Sequence, residues 1–213
     1  MSNFGFSELR LVNPYHVAFR EARSAVKSRH VLRDAREYQT VAEAVSDCAL
    51  VVGTTSRGPR ALEHPLRRLE LGGRLIARRL ASAPVALLFG SEKFGLSNDD
   101  LSHCHWLLRI PTREEHGSMN LGQAVAVSLY EIVRQPAAAR ASSEAHRPAK
   151  ADDLERITML LEEVLALSGY VHASIGGSTR LKLRRLIRRL DLDEHDAVVW
   201  LGMLRQIRWK LVP

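Results

Sequence analysis

Val85–Ser97 reads VALLFGSEKFGLS. Five apolar residues in a row leave no polar face for solvent, so the run suits a strand buried on both sides, and Gly90 ends it with a residue free to turn sharply. Such a strand needs neighbours of its own kind, and the chain supplies them as LRLV at Leu9–Val12, ALVVG at Ala49–Gly53 and HWLLRIP at His105–Pro111. Helix-patterned segments lie between them, near Val17–Lys27, Val41–Ser46 and Gly72–Ala81. Apolar strands alternating with helices place the chain in the α/β class, with a parallel sheet covered on both faces.

Further along, a helix is expected to start near Ser118. Gln135–Ala151, QPAAARASSEAHRPAKA, then loses hydrophobic periodicity and reads as a linker over 136–151. From 152 to 213 there are three helix patterns and no strand signal, which makes a small all-α carboxyl-terminal domain beside the α/β domain of residues 1–135. Asp152 and Asp153 complement the exposed amides of a helix start, and Leu154, Ile157, Leu160, Leu161, Val164 and Leu165 form its stripe. A second helix follows with Ser178 as its cap. A third starts near Asp193 and carries Val198, Leu201, Leu204 and Ile207, with Trp200 and Trp209 expected to pack the bundle.

The 213 residues carry a formal net charge of +7, which makes a polyanion such as RNA the simplest partner. Only Cys48 and Cys104 occur, far apart in sequence, and no cationic-then-apolar leader follows Met1, a combination that fits a reducing cytoplasm. No run approaches the roughly 18 apolar residues that a membrane-spanning helix needs.

In an open α/β sheet, ligands sit outside the carboxyl ends of the strands. Three such ends stand out here: Gly53, Thr54, Thr55, Ser56 and Arg57 after one strand; Gly90, Glu92, Gly95 and Leu96 after the next; and RIPTREEHGSMNLG from Arg109 after the last. Taken singly, the glycines are turn formers, the hydroxyl residues are turn or cap residues, and Ser118 is an N-cap.

Their joint order says more. LLFGSEKFGLS, then IPT, then SMNLGQAVAVSLYE resembles the carboxyl-terminal signature of the SPOUT-class RNA ribose 2′-O-methyltransferases, in the SpoU branch that holds TrmH and TrmJ. LRLVNP, TVAEAVSDCALVVGTTSR and the helical tail resemble the same branch. The resemblance implies a parallel-sheet domain with a deep carboxyl-terminal trefoil knot, S-adenosylmethionine (SAM) as methyl donor, RNA and most simply tRNA as substrate, and a homodimer. By motif match it assigns SAM contacts to Thr54, Thr55, Ser56, Gly90, Ile110, Gly117, Ser118 and Met119. Asn120, at the helix entrance, is then placed to orient the ribose or a catalytic side chain, and Glu92 to orient an arginine or to hold its loop.

Attack by a ribose hydroxyl requires that its proton be removed or stabilised. The resemblance gives that role to an arginine in an early Asn-x-Gly-x-x-x-Arg segment, which these residues do not contain. Arg10 lies in the next strand pattern and does not match. Met1–Phe6, MSNFGF, resembles the stretch just after the missing arginine, so a native start further upstream is expected, with a truncated relative steadied by its dimer partner as the alternative. Without the arginine loop, a non-catalytic RNA-binding relative is the contrasting reading.

Arg57 and Arg113 flank the loops and are read as phosphate contacts. TRLKLRRLIRRL, Thr179–Leu190, sets Arg180, Lys182, Arg184, Arg185, Arg188 and Arg189 against Leu183, Leu186, Ile187 and Leu190, a basic face that can follow tRNA phosphates. His103, Cys104, His105 and His116 lack any metal-ligand frame, so no metal site is expected.

Overall fold

The computed structural model describes residues 1–14, 29–56, 64–113, 115, 117, 119–134, 147–171 and 176–212. The helix expected near Val17–Lys27 falls outside them. Strands β1 (Arg10–Val12), β2 (Arg36–Tyr38), β3 (Leu50–Thr54), β4 (Leu66–Arg68), β5 (Val85–Leu88) and β6 (Trp106–Arg109) alternate with helices α1 (Arg29–Arg33), α2 (Val41–Val45), α3 (Leu69–Leu80), α4 (Asn98–Ser102) and α5 (Leu121–Val133).

Every ladder is parallel, as expected. The strands nevertheless form two sheets rather than one: β4-β6-β3-β5, and a separate β1-β2 pair. β2 and β4 carry no apolar run, because each is a three-residue strand, REY or LRR, at the edge of its sheet.

The sheet's two faces follow the strand's period of two. Leu50 and Val52 of β3, with Trp106 and Leu108 of β6, meet Leu69 and Ile76 of α3 and Leu129 and Ile132 of α5. Val51 and Leu107 point the other way, against Val45 and Cys48, Leu96, Leu101 and Cys104. Helix α3 starts ahead of the expected Gly72 and holds Gly72 within its second turn. A Cβ there would lie 2.3 Å from Leu108 Cδ1, so the glycine's low helix propensity is exchanged for close approach to β6. Helix α2 is short, yet it opens with a full capping box between Thr40 and Glu43.

The tail is three helices, α6 (Ala151–Leu167), α7 (Gly176–Arg189) and α8 (Glu194–Leu211), around Leu154, Ile157, Val164, Ile187, Ala197, Leu201 and Leu204. Ser178 lies inside α7 rather than capping it. In α8 the buried stripe is Ala197, Leu201 and Leu204, while Val198, Ile207 and Trp209 are exposed; Trp200 is the tryptophan that packs. The end of the expected linker is also firmly held. Ala149 donates its amide to Leu192 O, and Ala151 and Asp152 donate to Cys48 O and Ser46 O, at 2.9, 2.8 and 2.9 Å. These bonds anchor α6 at the amino end of β3.

Candidate active site

Because β3, β5 and β6 run parallel, their carboxyl ends open at one edge of the sheet, and three loops leave from there. Central β3 ties its neighbours together: Thr54 Oγ1 donates to Leu88 O at 2.9 Å, and the Thr55 amide donates to Leu108 O at 3.0 Å. Both threonines are half-buried, and Ser56 is exposed beyond them. The carbonyls of Leu88, the last residue of β5, and of Leu108, the last but one of β6, are thereby spoken for by residues expected to meet a ligand.

The second loop closes on itself. Gly95, at φ +69°, donates its amide to Ser91 O at 2.8 Å, and Phe94 donates its amide to Ser91 Oγ at 3.2 Å. Gly90 has backbone so near that a Cβ would stand 2.0 Å from Gly95 C. Leu96 plugs the loop into the core, and Phe94 is left 77% exposed at its tip. Ser97 then caps α4, exchanging hydrogen bonds with Asp100.

Glu92 joins this loop to the third. Its Oε1 accepts from Asn120 Nδ2 at 3.0 Å and from the Leu121 amide at 3.2 Å, while Asn120 Oδ1 caps α5 by accepting from the Gln123 amide at 3.3 Å. The carboxylate therefore sits at the amino end of α5, where the exposed amides and the helix dipole favour a negative charge. Ile110 and Met119 are half-buried, Gly117 and Arg113 exposed. Ser118 and Arg57 lie outside the described residues.

This arrangement has a family. The model of the SpoU rRNA Methylase family matches residues 1–130. The tRNA (cytidine/uridine-2′-O-)-methyltransferase TrmJ of Yersinia enterocolitica is 37% identical over 214 residues, spanning 97% of this chain and 83% of that protein. The chain belongs to the SpoU methylase family. TrmJ of Sodalis glossinidius is 35% identical over 215 residues, again with 97% and 83% covered. The crystal structure of TrmJ from Z. mobilis ZM4 superposes with a TM-score of 0.82 at 30% identity, covering 97% of this chain and 89% of that one.

Several cations the sequence reading assigned to RNA are committed elsewhere in this SpoU chain. Arg184 and Arg188 are 7% and 1% exposed. Arg184 grips both Glu155 oxygens and also donates to Ser102 Oγ and Asp99; Arg188 donates to His103 O at 2.8 Å. Helix α7 is rotated so that positions 184, 187 and 188 face inward, because Glu155 and the turn after α4 offer these guanidiniums partners that the aliphatic face cannot use. Leu186 and Leu190 face outward instead. Arg180 pairs with Glu162 at 2.7 Å. Arg185 is half-buried. Arg10 is held by Asp47, Glu8 and Ala44 O, so it is a structural cation of β1.

The nearby histidines and cysteines are core groups. Burial, reinforced by Arg184 and Arg188, pushes the His103 imidazole down to about 3. Burial, with Arg188 adding to it, does the same for His105, whose Nδ1 accepts the Val51 amide at 3.1 Å. Burial raises both thiols to about 12. Among the described residues no three His, Cys, Asp or Glu side chains converge as metal ligands. No described helix is long and apolar enough to cross a membrane. A cavity of about 210 Å³ lined by Asn13, Pro14, Glu37, Tyr38 and Gln39 opens at the carboxyl ends of the two-stranded sheet.

Sequence reasoning missed Asp99, Ser102 and Glu155. The one available signal was the pair of acidic and hydroxyl residues on short α4 opposite an arginine-dense helix, and only the fold brings them together.

Proposed function

We propose that this protein is a SAM-dependent methyltransferase acting on the ribose 2′-hydroxyl of RNA, with tRNA as substrate. The observation that carries the reading is the Glu92–Asn120 bridge, which draws the loops after β5 and β6 together over the end of β3 in a chain of the SpoU family. The TrmJ relatives are named as tRNA 2′-O-methyltransferases of cytidine and uridine, which supports tRNA over other RNA.

The residues present suit the cofactor. Gly117 leaves its main chain exposed, Ile110 and Met119 supply half-buried apolar surface for an adenine, exposed Ser56 supplies a hydroxyl, and Thr54 and Thr55, bonded to Leu88 O and Leu108 O, set the floor beside the tight turn at Gly90. When bound, SAM supplies an activated methyl group. Glu92 and Asn120 hold the entrance of α5 in register with the glycine loop, so that an attacking hydroxyl meets a preset geometry, and alignment of this kind supplies much of the acceleration. Exposed Arg113, on the loop after β6, is placed to hold a substrate phosphate, and Arg57 shares that role by sequence position.

The family resemblance further supports a carboxyl-terminal trefoil knot in the segment from β6 into α5, and division into a methyltransferase domain over 1–135 and a helical domain over 152–213. It also supports a homodimer. Val127, Tyr130 and Val133 on α5, with Leu71 on α3, are exposed apolar residues that a second copy would cover. A tRNA substrate carries with it a cytoplasmic location.

The test is transfer of radiolabelled methyl from SAM to bulk tRNA, followed by nuclease digestion to nucleosides. Label recovered in 2′-O-methylated nucleosides is the expected result. SAM binding without transfer would leave an RNA-binding relative instead.

A further inference from the structure

The basic helix α7 meets the α/β body through a cluster in which two guanidiniums share one carboxylate. Arg184 Nε and Nη2 reach Glu155 Oε2 and Oε1 at 3.0 and 2.9 Å, and Arg188 Nη2 reaches Glu155 Oε2 at 3.4 Å. Three further bonds go across to the α/β body. Arg184 Nη1 donates to Ser102 Oγ at 2.7 Å and to Asp99 Oδ1 at 3.2 Å, and Arg188 Nε donates to His103 O at 2.8 Å. Arg188 Nη1 is buried with no hydrogen-bond partner.

Such a cluster is a poor way to gain stability, since desolvating two cations against Glu155, with Asp99 left mostly in solvent, costs more than an apolar contact of the same volume. What it provides is direction, because a planar guanidinium bonds only along fixed axes. All of its cross-body bonds end on α4 or on the residue just after it.

The place of α4 gives this significance. Its Ser97 cap is two residues beyond Gly95, at the end of the loop that carries Glu92. Its far end runs through His103 to His105, which is bonded to β3 at both its amide and its Nδ1, and thence into β6 and the Ile110 loop. The helix is five residues long, held by its Ser97–Asp100 cap and by buried Leu101, and a helix this short draws little stability from its own hydrogen bonds.

We infer that Arg184 and Arg188 are positioning residues for the methyl-donor site, acting by clamping α4 between the glycine loop and β6 rather than by contacting RNA. The inference rests on the reading of these loops as the SAM site. It makes the helical tail part of the active-site scaffold.

The test compares the wild type with Arg184→Met, and with the double change Asp99→Asn and Ser102→Ala, which cuts the Arg184 half of the clamp from the α4 side and leaves the tail untouched should Arg184→Met fail to fold. SAM affinity is read by calorimetry, tRNA affinity by filter binding over a salt series, and amide exchange on the protein without ligand. The inference expects SAM affinity to fall by roughly fivefold or more, faster exchange at Gly95, Leu101 and Cys104, and an unchanged salt slope for tRNA. An unchanged SAM affinity overturns it, as does unchanged exchange at those amides; a lower tRNA salt slope with intact SAM binding would restore the arginines to the RNA. If the wild type itself fails to bind SAM, the functional reading falls, and the clamp is then judged on the exchange data alone: protection kept in both variants rejects it, and protection lost retains it as a clamp on these loops.

Discussion

At the residue scale, Asn120 does two jobs that a substitution can separate. Its Oδ1 caps α5, and its Nδ2 donates to Glu92. Aspartate caps helices as well as asparagine does but cannot donate to a carboxylate. Asn120→Asp is expected to lower kcat/KM for methyl transfer by roughly tenfold, the worth of one charge-assisted hydrogen bond, and to lower the melting temperature as well, because two carboxylates then face each other across that contact. Gly90 is a stricter case. With a Cβ placed 2.0 Å from Gly95 C and 2.3 Å from the Leu96 amide nitrogen, the loop must open to admit it. Gly90→Ala is expected to cost roughly 3 kcal/mol in urea unfolding and to abolish SAM binding, because both partners in the clash are backbone. A variant as stable as the wild type would show that the loop closes less tightly than described. The glycine loop was legible in the sequence, since its spacing is local; the cap was expected at Ser118 but is Asn120, with α5 starting at Leu121, and the partnership of Glu92 with Asn120, separated by 28 positions, was not legible.

At the element scale, α7 shows how a helical projection can mislead. Its leucines and arginines separate cleanly, and an aliphatic face is the ordinary choice for burial. Its surroundings, however, offer a carboxylate on α6 and a hydroxyl and a backbone carbonyl at α4, so the helix turns two arginines inward. The consequence is an asymmetry between the partners. Glu155→Gln leaves buried Arg188 without a counter-charge and Arg184 with only the exposed Asp99, and is expected to cost about 3–5 kcal/mol in chemical denaturation. Arg188→Met removes the less satisfied cation, whose own pKa burial pushes down to about 10, and leaves Glu155 its two-pronged bond to Arg184; it is expected to cost much less, or nothing. Equal losses in the two variants would show that the cluster does not act as an ion network. The same element-scale blindness hid β2 and β4, whose short polar sequences become strands only because a more apolar neighbour presents an open ladder.

At the scale of the whole molecule, the buried imidazoles couple the fold to pH. His103 and His105 are depressed to about 3 when folded and titrate near the ordinary value of about 6.5 when unfolded, so between those values the unfolded chain binds more protons. Their contribution is intact above about pH 6.5 and lost as pH falls toward 3. Relative to pH 7, each is expected to remove about 2 kcal/mol at pH 5. Urea midpoints measured across this range check it, and His105→Asn, which keeps an acceptor for the Val51 amide, is expected to flatten the slope by about half. A slope unaltered by that change would place the acid sensitivity elsewhere. The exposed apolar face of α5 makes a second claim at this scale. Tyr130→Glu is expected to shift the protein from dimer to monomer in light scattering, and a wild type already monomeric at working concentration would reject the dimer.

The sequence by itself determined what depends on short-range pattern: the parallel α/β class, the four apolar strands, the glycine loops at their ends, the helical tail and the family. Apolar period and turn chemistry are properties of neighbouring residues, and they survive in one dimension. The tertiary structure alone decided which cations are buried, that the strands split into two sheets, and that Glu92 closes on Asn120. Those outcomes rest on partners brought from distant positions, where the cost of desolvating a charge is set by what stands opposite it.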